Sequence, residues 1–406
     1  AAREAAVRAM GALGSLDAIG PLVSAVIDRR LDDPSAIADA LAALGEPAIQ
    51  PLLTAAGSYN NPMVSETIGT ALAAIGHDAV APSRAALAEA ERGTVMAAAE
   101  ALGRLADPHA IPALVTALEN AEPTVHQVVV QALDRLGWQP TEGETAARYW
   151  AFKHDWERCA AIGAAALTPL LEALNDADAA VVAGAALALG RVGDPRAVKA
   201  LIDKARAPEP NVRVAIASAL GDVADPRGVM PLIAAMEDDD MRVVMAATEA
   251  LGKIGAPGVA PLMEALRTED ADRRDATARA LAGIGAPAVG ALIKALSDRT
   301  LHVALGAADA LGQIGDKRAI DPLLACLAHE NAHLRTAACR ALGAFGDQRV
   351  VMPLAEMLKD RDYEVRYAAT AALGKIRDPR AVRPLIAALK HENPDVREAA
   401  AGPSPR

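Results

Sequence analysis

Small and hydrophobic residues recur along the chain in two kinds of block that are separated by polar turns. In one block, residues such as Val198, Leu201 and Ile202 have the three-to-four-residue spacing of a helix face, which predicts a first helix, helix A. The second block has the form V-R-x-A-A-x-x-A-L-G, as in residues 212–221 and 365–374, and predicts a second helix, helix B. The chain is therefore predicted to be a succession of helical hairpins.

These hairpins repeat at a nearly constant period. Segments of the form A-L-G-x-I-G-D-P-R-A-V-x-P-L-I align at thirteen equivalent positions: Gly14, Gly45, Gly76, Ala106, Gly137, Gly163, Gly193, Ala224, Gly255, Gly285, Gly315, Gly346 and Arg377. The intervals between them are 30 or 31 residues, except for one interval of 26 between Gly137 and Gly163. Self-similarity at a fixed period of this length predicts an array of stacked repeats.

Capping and breaking residues mark the ends of each unit. Asp-Pro pairs at 194–195, 225–226 and 378–379 place an N-cap acceptor before a proline at the first helical position, so helix A is expected to begin there. The glycine that closes the helix B motif, such as Gly221 or Gly374, is expected to adopt the left-handed conformation that ends the helix. A second proline six residues after the cap predicts a kink near the first turn of helix A, at Pro231, Pro322, Pro353 and Pro384.

The combination of D-P-R-A-V-x-P-L-I-x-A-L and V-R-x-A-A-x-x-A-L-G resembles the HEAT repeats of the phycobilisome-lyase-like subtype, over nearly the whole chain. The resemblance implies an all-α fold, an α-solenoid in which helical hairpins of about 30–31 residues stack into a superhelix. It implies A helices on the convex side and B helices on the concave side. The family serves as a generic binding scaffold, so the resemblance implies much less about function.

Composition narrows the functional classes. Of the 406 residues 52% are hydrophobic but only 2% are aromatic, which suits thin helical layers filled by Ala, Leu, Val and Ile. The net charge of -11 disfavours a general nucleic-acid binder. No apolar stretch reaches the roughly 18 residues that span a bilayer, and the N-terminus lacks the blocks of a signal peptide, so we expect a cytoplasmic protein without a membrane segment. Cys159, Cys326 and Cys339 are expected to be small core residues.

The repeat pattern is interrupted between residues 138 and 162, where five of the nine aromatic residues lie. Two interpretations stand. Either a degenerate unit refills its core with bulky rings, or Trp138, Trp150 and Trp156 form a pocket or knob for a partner. The expected divisions are therefore repeats over 1–137, the aromatic segment over 138–162, repeats over 163–401 and a disordered tail over 402–406.

Charged residues recur once per unit at two places. The arginines that follow the first residue of the helix B motif are expected to tie neighbouring turns together through carbonyls and aspartates: Arg213, Arg274, Arg335, Arg366 and Arg397. The acidic turns before helix B complement the helix dipole, and their alignment would also give a negative rim for basic proteins: Asp176, Asp178, residues 237–240, Glu269, Asp270, Asp360 and Asp362.

The position two residues after the first motif residue of helix B is expected to face the concave groove. It holds Gln127, Val214, Met245, Asp275, Leu305, Thr336, Tyr367 and Glu398. Apolar residues gathered on an exposed surface indicate an interaction site, so Val214, Met245, Leu305 and Tyr367 are the candidate partner-binding residues, with incidental burial as the alternative.

Enzymatic relatives of the repeat require ligands that this chain does not place in helix B. Deoxyhypusine hydroxylase resembles this repeat type and binds iron through His-Glu pairs inside helix B, where this chain has pairs such as Val214-Ala215 and Tyr367-Ala368. The pairs His329-Glu330 and His391-Glu392 fall in turns instead. We therefore expect a monomeric, non-catalytic scaffold that binds a protein partner, with no catalytic residue, cofactor or metal. The alternative is a bilin-lyase-like or other accessory subunit that handles a chromophore or protein substrate.

Overall fold

A computed structural model describes residues 2–28, 35–59, 61–120, 123–391 and 394–401. Within these residues the chain forms 27 α-helices and 11 short 3-10 helices and no β-strand, which confirms the all-α solenoid. The predicted disordered tail, residues 402–406, lies outside the described residues. The helices group into two compact units, residues 1–169 and 170–406, and the division falls inside one helix, α12 (Leu167–Ala173).

Unit 1 consists of helical hairpins followed by the aromatic segment. Its B helices are α1 (Ala2–Ala12), α3 (Ser35–Ala42), α5 (Pro62–Ile75), α7 (Arg92–Leu105) and α9 (Pro123–Arg135). Its A helices contain α2 (Ile19–Ile27), α4 (Ile49–Tyr59), α6 (Val80–Ala86) and α8 (Ile111–Asn120). The aromatic segment forms α10 (Gly143–Phe152) and α11 (Trp156–Ala161).

Unit 2 repeats the same hairpin. Its B helices are α13 (Ala179–Val192), α15 (Pro210–Val223), α17 (Met241–Ile254), α19 (Ala271–Ile284), α21 (Leu301–Ile314), α23 (Ala332–Phe345), α25 (Tyr363–Ile376) and α27 (Pro394–Ala401). Its A helices contain α14 (Val198–Asp203), α16 (Val229–Ala235), α18 (Val259–Ala265), α20 (Ala286–Ala295), α22 (Ile320–Cys326), α24 (Val351–Met357) and α26 (Val382–Leu389).

The B helices from α1 to α25 are each followed, within three residues, by a residue with a positive φ angle. All thirteen positions aligned from the sequence have positive φ angles, between 53° and 101°, so the predicted register is confirmed at every unit. Ten of them are glycines, for which this conformation carries no Cβ penalty. At Ala106, Ala224 and Arg377 a side chain accepts the conformation at a cost of about 1–2 kcal/mol, which the packing of the unit must offset.

The glycine that closes the helix B motif has a different role from the predicted one. Gly221 and Gly374 lie inside α15 and α25, and the left-handed residue comes three positions later, at Ala224 and Arg377. A Cβ atom on Gly221 would lie 2.6 Å from the Cα of Ala250 in the next B helix, and one on Gly190 would lie 2.8 Å from the Cα of Ala219. At Gly190 and Gly221 the motif glycine is therefore needed for backbone contact between successive B helices and not for helix termination, whereas a Cβ atom on Gly374 would meet nothing within 4 Å.

Helix A begins as the sequence predicts. Asp194, Asp225 and Asp378 are N-caps that accept from the backbone N–H two residues later, with proline at the first helical position. The first turn is a 3-10 helix, and the α-helix follows it. Pro231 lies in the first turn of α16, where its missing N–H leaves no helical hydrogen bond unmade. The bend of the axis at these prolines stays a prediction.

Two of the five predicted helix B arginines, Arg213 and Arg335, connect neighbouring turns as predicted. The Arg335 guanidinium donates to the carbonyls of His329 and Glu330 in its own turn, at 2.8 and 2.9 Å, and to the Asp360 carboxylate in the next turn, at 2.8 and 2.9 Å. Arg213 makes the same set of bonds, with Asp238 as its carboxylate. Arg274 departs from the pattern, since its guanidinium contacts His302 at 3.3 Å.

Replacing Gly221 by alanine tests the backbone contact. We expect Gly221→Ala to lower the free energy of unfolding by about 1–3 kcal/mol, because the added methyl overpacks the joint between α15 and α17. Gly290→Ala is the matched control, since Gly290 lies on an open face of α20 with nothing within 4 Å of the added Cβ. That control should raise stability by about 1 kcal/mol through helix propensity. Urea unfolding followed by circular dichroism measures both, and equal effects would contradict the contact.

Acid should weaken the caps. Hydrogen bonds from Arg227 lower the pKa of the Asp225 carboxyl to about 2, and hydrogen bonds from Arg318 and Arg380 do the same for Asp316 and Asp378. An aspartate in the unfolded chain has a pKa of about 3.9. The caps therefore contribute fully to stability above that pH, and this contribution is lost as the pH falls towards 2. We expect the melting temperature to fall over this window. In a variant with Arg227→Gln, Arg318→Gln and Arg380→Gln, the melting temperature should fall less over the same pH window. An unchanged slope of melting temperature against pH would contradict the role of the capping aspartates.

Candidate functional site

Side chains at equivalent positions of successive B helices form rows in unit 2. Lys253 Nζ lies 2.9 Å from Asp222 Oδ1, and these residues occupy the same position in α17 and α15. Arg340 and Asp309, again equivalent in α23 and α21, approach to 3.6 Å. The register set by the backbone contacts therefore aligns one face of the B helices, which we call the B face; on α17 it carries Met245, Glu249 and Lys253.

The candidate partner-binding residues of unit 2 lie in the first row of the B face. Met245 is 64% exposed, whereas Val214, Leu305 and Tyr367 are half-buried. Val214 and Met245 belong to neighbouring helices, but α19 and α23 carry the polar Asp275 and Thr336 in the same row. The row is thus apolar with polar interruptions: Val214, Met245, Asp275, Leu305, Thr336 and Tyr367.

Two apolar residues of this face were missed by the sequence argument. Met241 is 61% exposed and lies one helical turn before Met245, and Tyr363 has the same relation to Tyr367. The rings of Tyr363 and Tyr367 stack with their centroids 6.4 Å apart. A spacing of four residues on one helix was the available signal, because it places two side chains on the same face. Together they enlarge the apolar surface at the start of α17 and α25.

Charged residues follow the first row along the B face, and many of them are paired with one another or with Asp275 of the first row. Arg279 pairs with Asp275 at 2.7 Å, and Lys253 pairs with Glu249 at 3.1 Å as well as with Asp222. Desolvation by the surrounding protein raises the pKa of the Asp309 carboxyl, although Arg340 opposes that shift. These paired charges of both signs leave this part of the B face without a single-sign field.

Most of the acidic turn residues have partners inside the protein. Asp178, Asp240, Asp270 and Asp362 are N-caps of B helices. Asp238 and Asp360 accept from arginines of the preceding unit. These local bonds account for the acidic residues singly, as the dipole argument expected.

In unit 1 the aromatic segment forms a packed cluster. Trp150 is only 4% exposed, its indole N–H donates to the Pro140 carbonyl at 3.0 Å, and its ring meets the buried Tyr149 edge-on. Trp138 is half-buried and also meets Tyr149 edge-on. Burial and a hydrogen bond to Asp134 raise the pKa of the Tyr149 hydroxyl. Trp150 thus lies in the interior of this segment, and Trp138 packs against the same buried tyrosine ring from a half-buried position.

Trp156 lies apart from that cluster. Its half-buried ring stacks on the exposed imidazole of His154, with the centroids 5.5 Å apart and the planes 6° from parallel. His154 itself adopts a left-handed conformation after α10. Trp138 and Trp150 pack against the buried Tyr149, whereas Trp156 stacks on an exposed ring.

The cysteines are core residues, as predicted. All three are buried, and burial raises the pKa of the Cys159 and Cys339 thiols to about 12. Because the thiolate is the nucleophile and the metal ligand, these thiols are inert at neutral pH.

Metal ligands do not converge in the part of the chain that the structure describes, where no group of three or more His, Cys, Asp and Glu residues could hold an ion. His329 and Glu330 are exposed in a turn, and the His329 ring accepts from the Asn331 backbone. Glu392 of the second His-Glu pair lies outside the described residues. None of the described helices is long and apolar enough to cross a membrane.

Stacked helical hairpins with a shared register define an α-solenoid of repeat type. The chain belongs to the HEAT repeat family: the family model for HEAT repeats matches residues 49–134, 198–282, 259–338 and 320–402. The model for the PBS lyase HEAT-like repeat matches residues 2–28 and 181–205. The predicted family is thereby confirmed.

Several solved structures match this chain. Human deoxyhypusine hydroxylase in complex with glycerol is 23% identical over 68% of this chain and 98% of its own, with a TM-score of 0.26. The complex of CpcE and CpcF of phycocyanin lyase from Nostoc sp. PCC7120 is 23% identical over 54% and 92%, with a TM-score of 0.27. The karyopherin Kap121p is 15% identical over 91% and 47%, with a TM-score of 0.43. No curated protein sequence matches this chain.

Truncating the tryptophans distinguishes packing from docking in the aromatic segment. We expect Trp150→Ala to lower the free energy of unfolding by about 3–5 kcal/mol, because it empties a buried site and removes a hydrogen bond. Trp156→Ala, at a partly exposed ring, should cost less than about 1 kcal/mol and is the control. Denaturant unfolding measures both. A small loss at Trp150 would contradict the packing role.

Proposed function

We propose that the protein is a non-catalytic scaffold that binds a protein partner through the B face of unit 2. The observation that carries this proposal is the set of exposed and half-buried apolar side chains on B helices of unit 2, above all Met241 and Met245 of α17, which are 61% and 64% exposed. Exposed apolar residues that share one face are typical of interaction sites. The remaining members are Val214, Leu305, Tyr363 and Tyr367.

A protein partner fits this face better than a nucleic acid. Phosphate backbones are bound by free lysines and arginines, whereas Arg279 and Lys253 of the B face are paired with carboxylates. The net charge of -11 opposes nucleic acid as well. Burial of an apolar side chain against a protein contributes roughly 1.5–3 kcal/mol, so two or three of these residues would dominate the affinity.

A triple variant tests the face. Met245→Ser, Leu305→Ser and Tyr367→Ser together should weaken partner binding at least tenfold and leave the melting temperature nearly unchanged, because the changes are on the free face. The matched control is Met230→Ser, Met352→Ser and Ile386→Ser, which changes side chains that are 64%, 52% and 46% exposed on A helices. Quantitative affinity capture from the native host compares wild type, variant and control.

The outcomes separate the possibilities. A partner of this face is a protein that wild type and control capture equally and that the triple variant fails to capture. Equal capture by all three chains contradicts the proposal, and the partly exposed Trp156 then becomes the next residue to change. Unfolding of the triple variant would mean that these side chains belong to the core.

A second candidate function is that of an accessory subunit that handles a bilin chromophore. The matches of residues 2–28 and 181–205 to the PBS lyase HEAT-like repeat favour it. Protein purified from the native host should then carry a visible absorption band, and a colourless preparation that does not change the spectrum of added phycocyanobilin would count against this role.

A further inference from the structure

A polar pocket opens on the B face of unit 1, between α5, α7 and α9. It has a volume of about 300 Å³, and Glu66, Met96, Gln127, Gln131 and Arg135 are among its lining residues. Neither the sequence patterns nor the family resemblance singled it out. It lies in the other unit from the surface proposed above and does not depend on that proposal.

One wall of the pocket is held by a buried carboxylate. Glu100 is 5% exposed and packs over Gly69 of α5, where an added Cβ would come within 2.7 Å of the Glu100 Cβ. Its two oxygens accept from Arg104 Nε at 2.5 Å and from Arg135 Nη1 at 2.9 Å. A buried carboxylate with two arginines leaves one net positive charge, and it fixes where the Arg135 guanidinium lies.

Arg135 is only partly used by this contact. Its side chain is 39% exposed and lines the pocket, and a guanidinium carries five N–H donors in a planar fork. Among the described residues only Glu100 accepts from it. The remaining donors suit a second carboxylate, since the fork matches that group bidentately.

Two glutamines continue the line of Arg135 along the same helix. Gln127, Gln131 and Arg135 follow at intervals of four residues on α9, so they share one face at a spacing of about 6 Å. Neither glutamine amide hydrogen-bonds to another residue in the part of unit 1 that the structure describes. Each amide offers both a donor and an acceptor, which is the complement of a peptide group.

This spacing matches an extended peptide. Peptide groups on one side of an extended chain repeat every two residues, at about 6.7 Å, close to the 6 Å of the three side chains. Two such groups would pair with Gln127 and Gln131, and the next main-chain group in the line would face Arg135. A carboxylate belongs there, and the main chain has one only at its C-terminus.

We propose that this pocket binds the C-terminal end of an extended peptide. The terminal carboxylate accepts from Arg135, and the two preceding peptide groups on the same side of the chain hydrogen-bond to Gln131 and Gln127. The peptide runs parallel to α9. Glu66, on the opposite wall and two helices away, disfavours an acidic side chain at the start of the bound segment.

Fluorescence anisotropy with labelled pentapeptide mixtures tests the proposal. The probes carry an N-terminal fluorescein and random sequences, and they end in a free carboxylate or in an amide. A third mixture ends in an amide and contains one aspartate. We expect the carboxylate mixture to bind wild-type protein at least tenfold more tightly than the plain amide mixture, because the charge-assisted bonds to Arg135 are lost with the amide.

Variants assign the contributions. Arg135→Gln should abolish the preference for the carboxylate, whereas Gln127→Ala with Gln131→Ala should weaken both mixtures and keep the preference. Arg84→Gln on α6 and Gln313→Ala on α21 are matched controls at exposed positions and should bind as wild type does. Because Arg135→Gln disturbs Glu100, thermal unfolding is recorded for each variant, and the glutamine variant tests the site even if Arg135→Gln fails to fold.

Three outcomes would overturn the proposal. The first is that wild-type protein binds neither plain mixture or binds both equally. The second is that the glutamine variant binds as wild type does, and the third is that the aspartate-containing amide mixture alone binds. The last result would assign Arg135 to an acidic side chain. None of these outcomes bears on the B face of unit 2, so the two proposals fail independently.

Discussion

Direct contact between the backbones of successive B helices is the constraint on which the rest of each unit depends. The motif glycine of one helix meets an alanine of the next, as Gly103 meets Ala132 in unit 1 and Gly343 meets Ala372 in unit 2, with no space for a Cβ atom on the glycine. Contacts this close leave room for little besides small side chains between the helices. They explain an interior rich in alanine and a chain with only 2% aromatic residues.

This contact also fixes the register, and the polar groups at the edges of the units follow from it. Because B helices meet at the motif glycine, Arg335 faces the following turn, where Asp360 accepts from it, and Arg213 has the same relation to Asp238. Capping aspartates and left-handed residues then recur at the same places. Many charged residues of the chain are therefore part of the repeat itself, and their number says little about a partner.

The functional candidates are residues that take no part in the capping and stacking contacts of the repeat. In unit 2 these are Met241, Met245 and their counterparts on the B face, where the neighbouring charges already neutralise one another. In unit 1 they are Gln127, Gln131 and Arg135, beside a carboxylate that is buried for structural reasons. Both sets lie on B helices because that face is the one that the stacking contacts do not cover.

The sequence by itself determined the helices, the period and the thirteen equivalent positions, including Ala224 and Arg377, because caps, turns and helix periodicity depend on residues close together in the chain. It did not determine the role of Gly221, the burial of Trp150 or the pairing of Glu100 with Arg135. Those depend on contacts between segments that are distant in sequence, such as the 35 residues between Glu100 and Arg135. A local pattern states that a residue is on a helix face, but only the neighbouring helix decides whether that face is buried, paired or free.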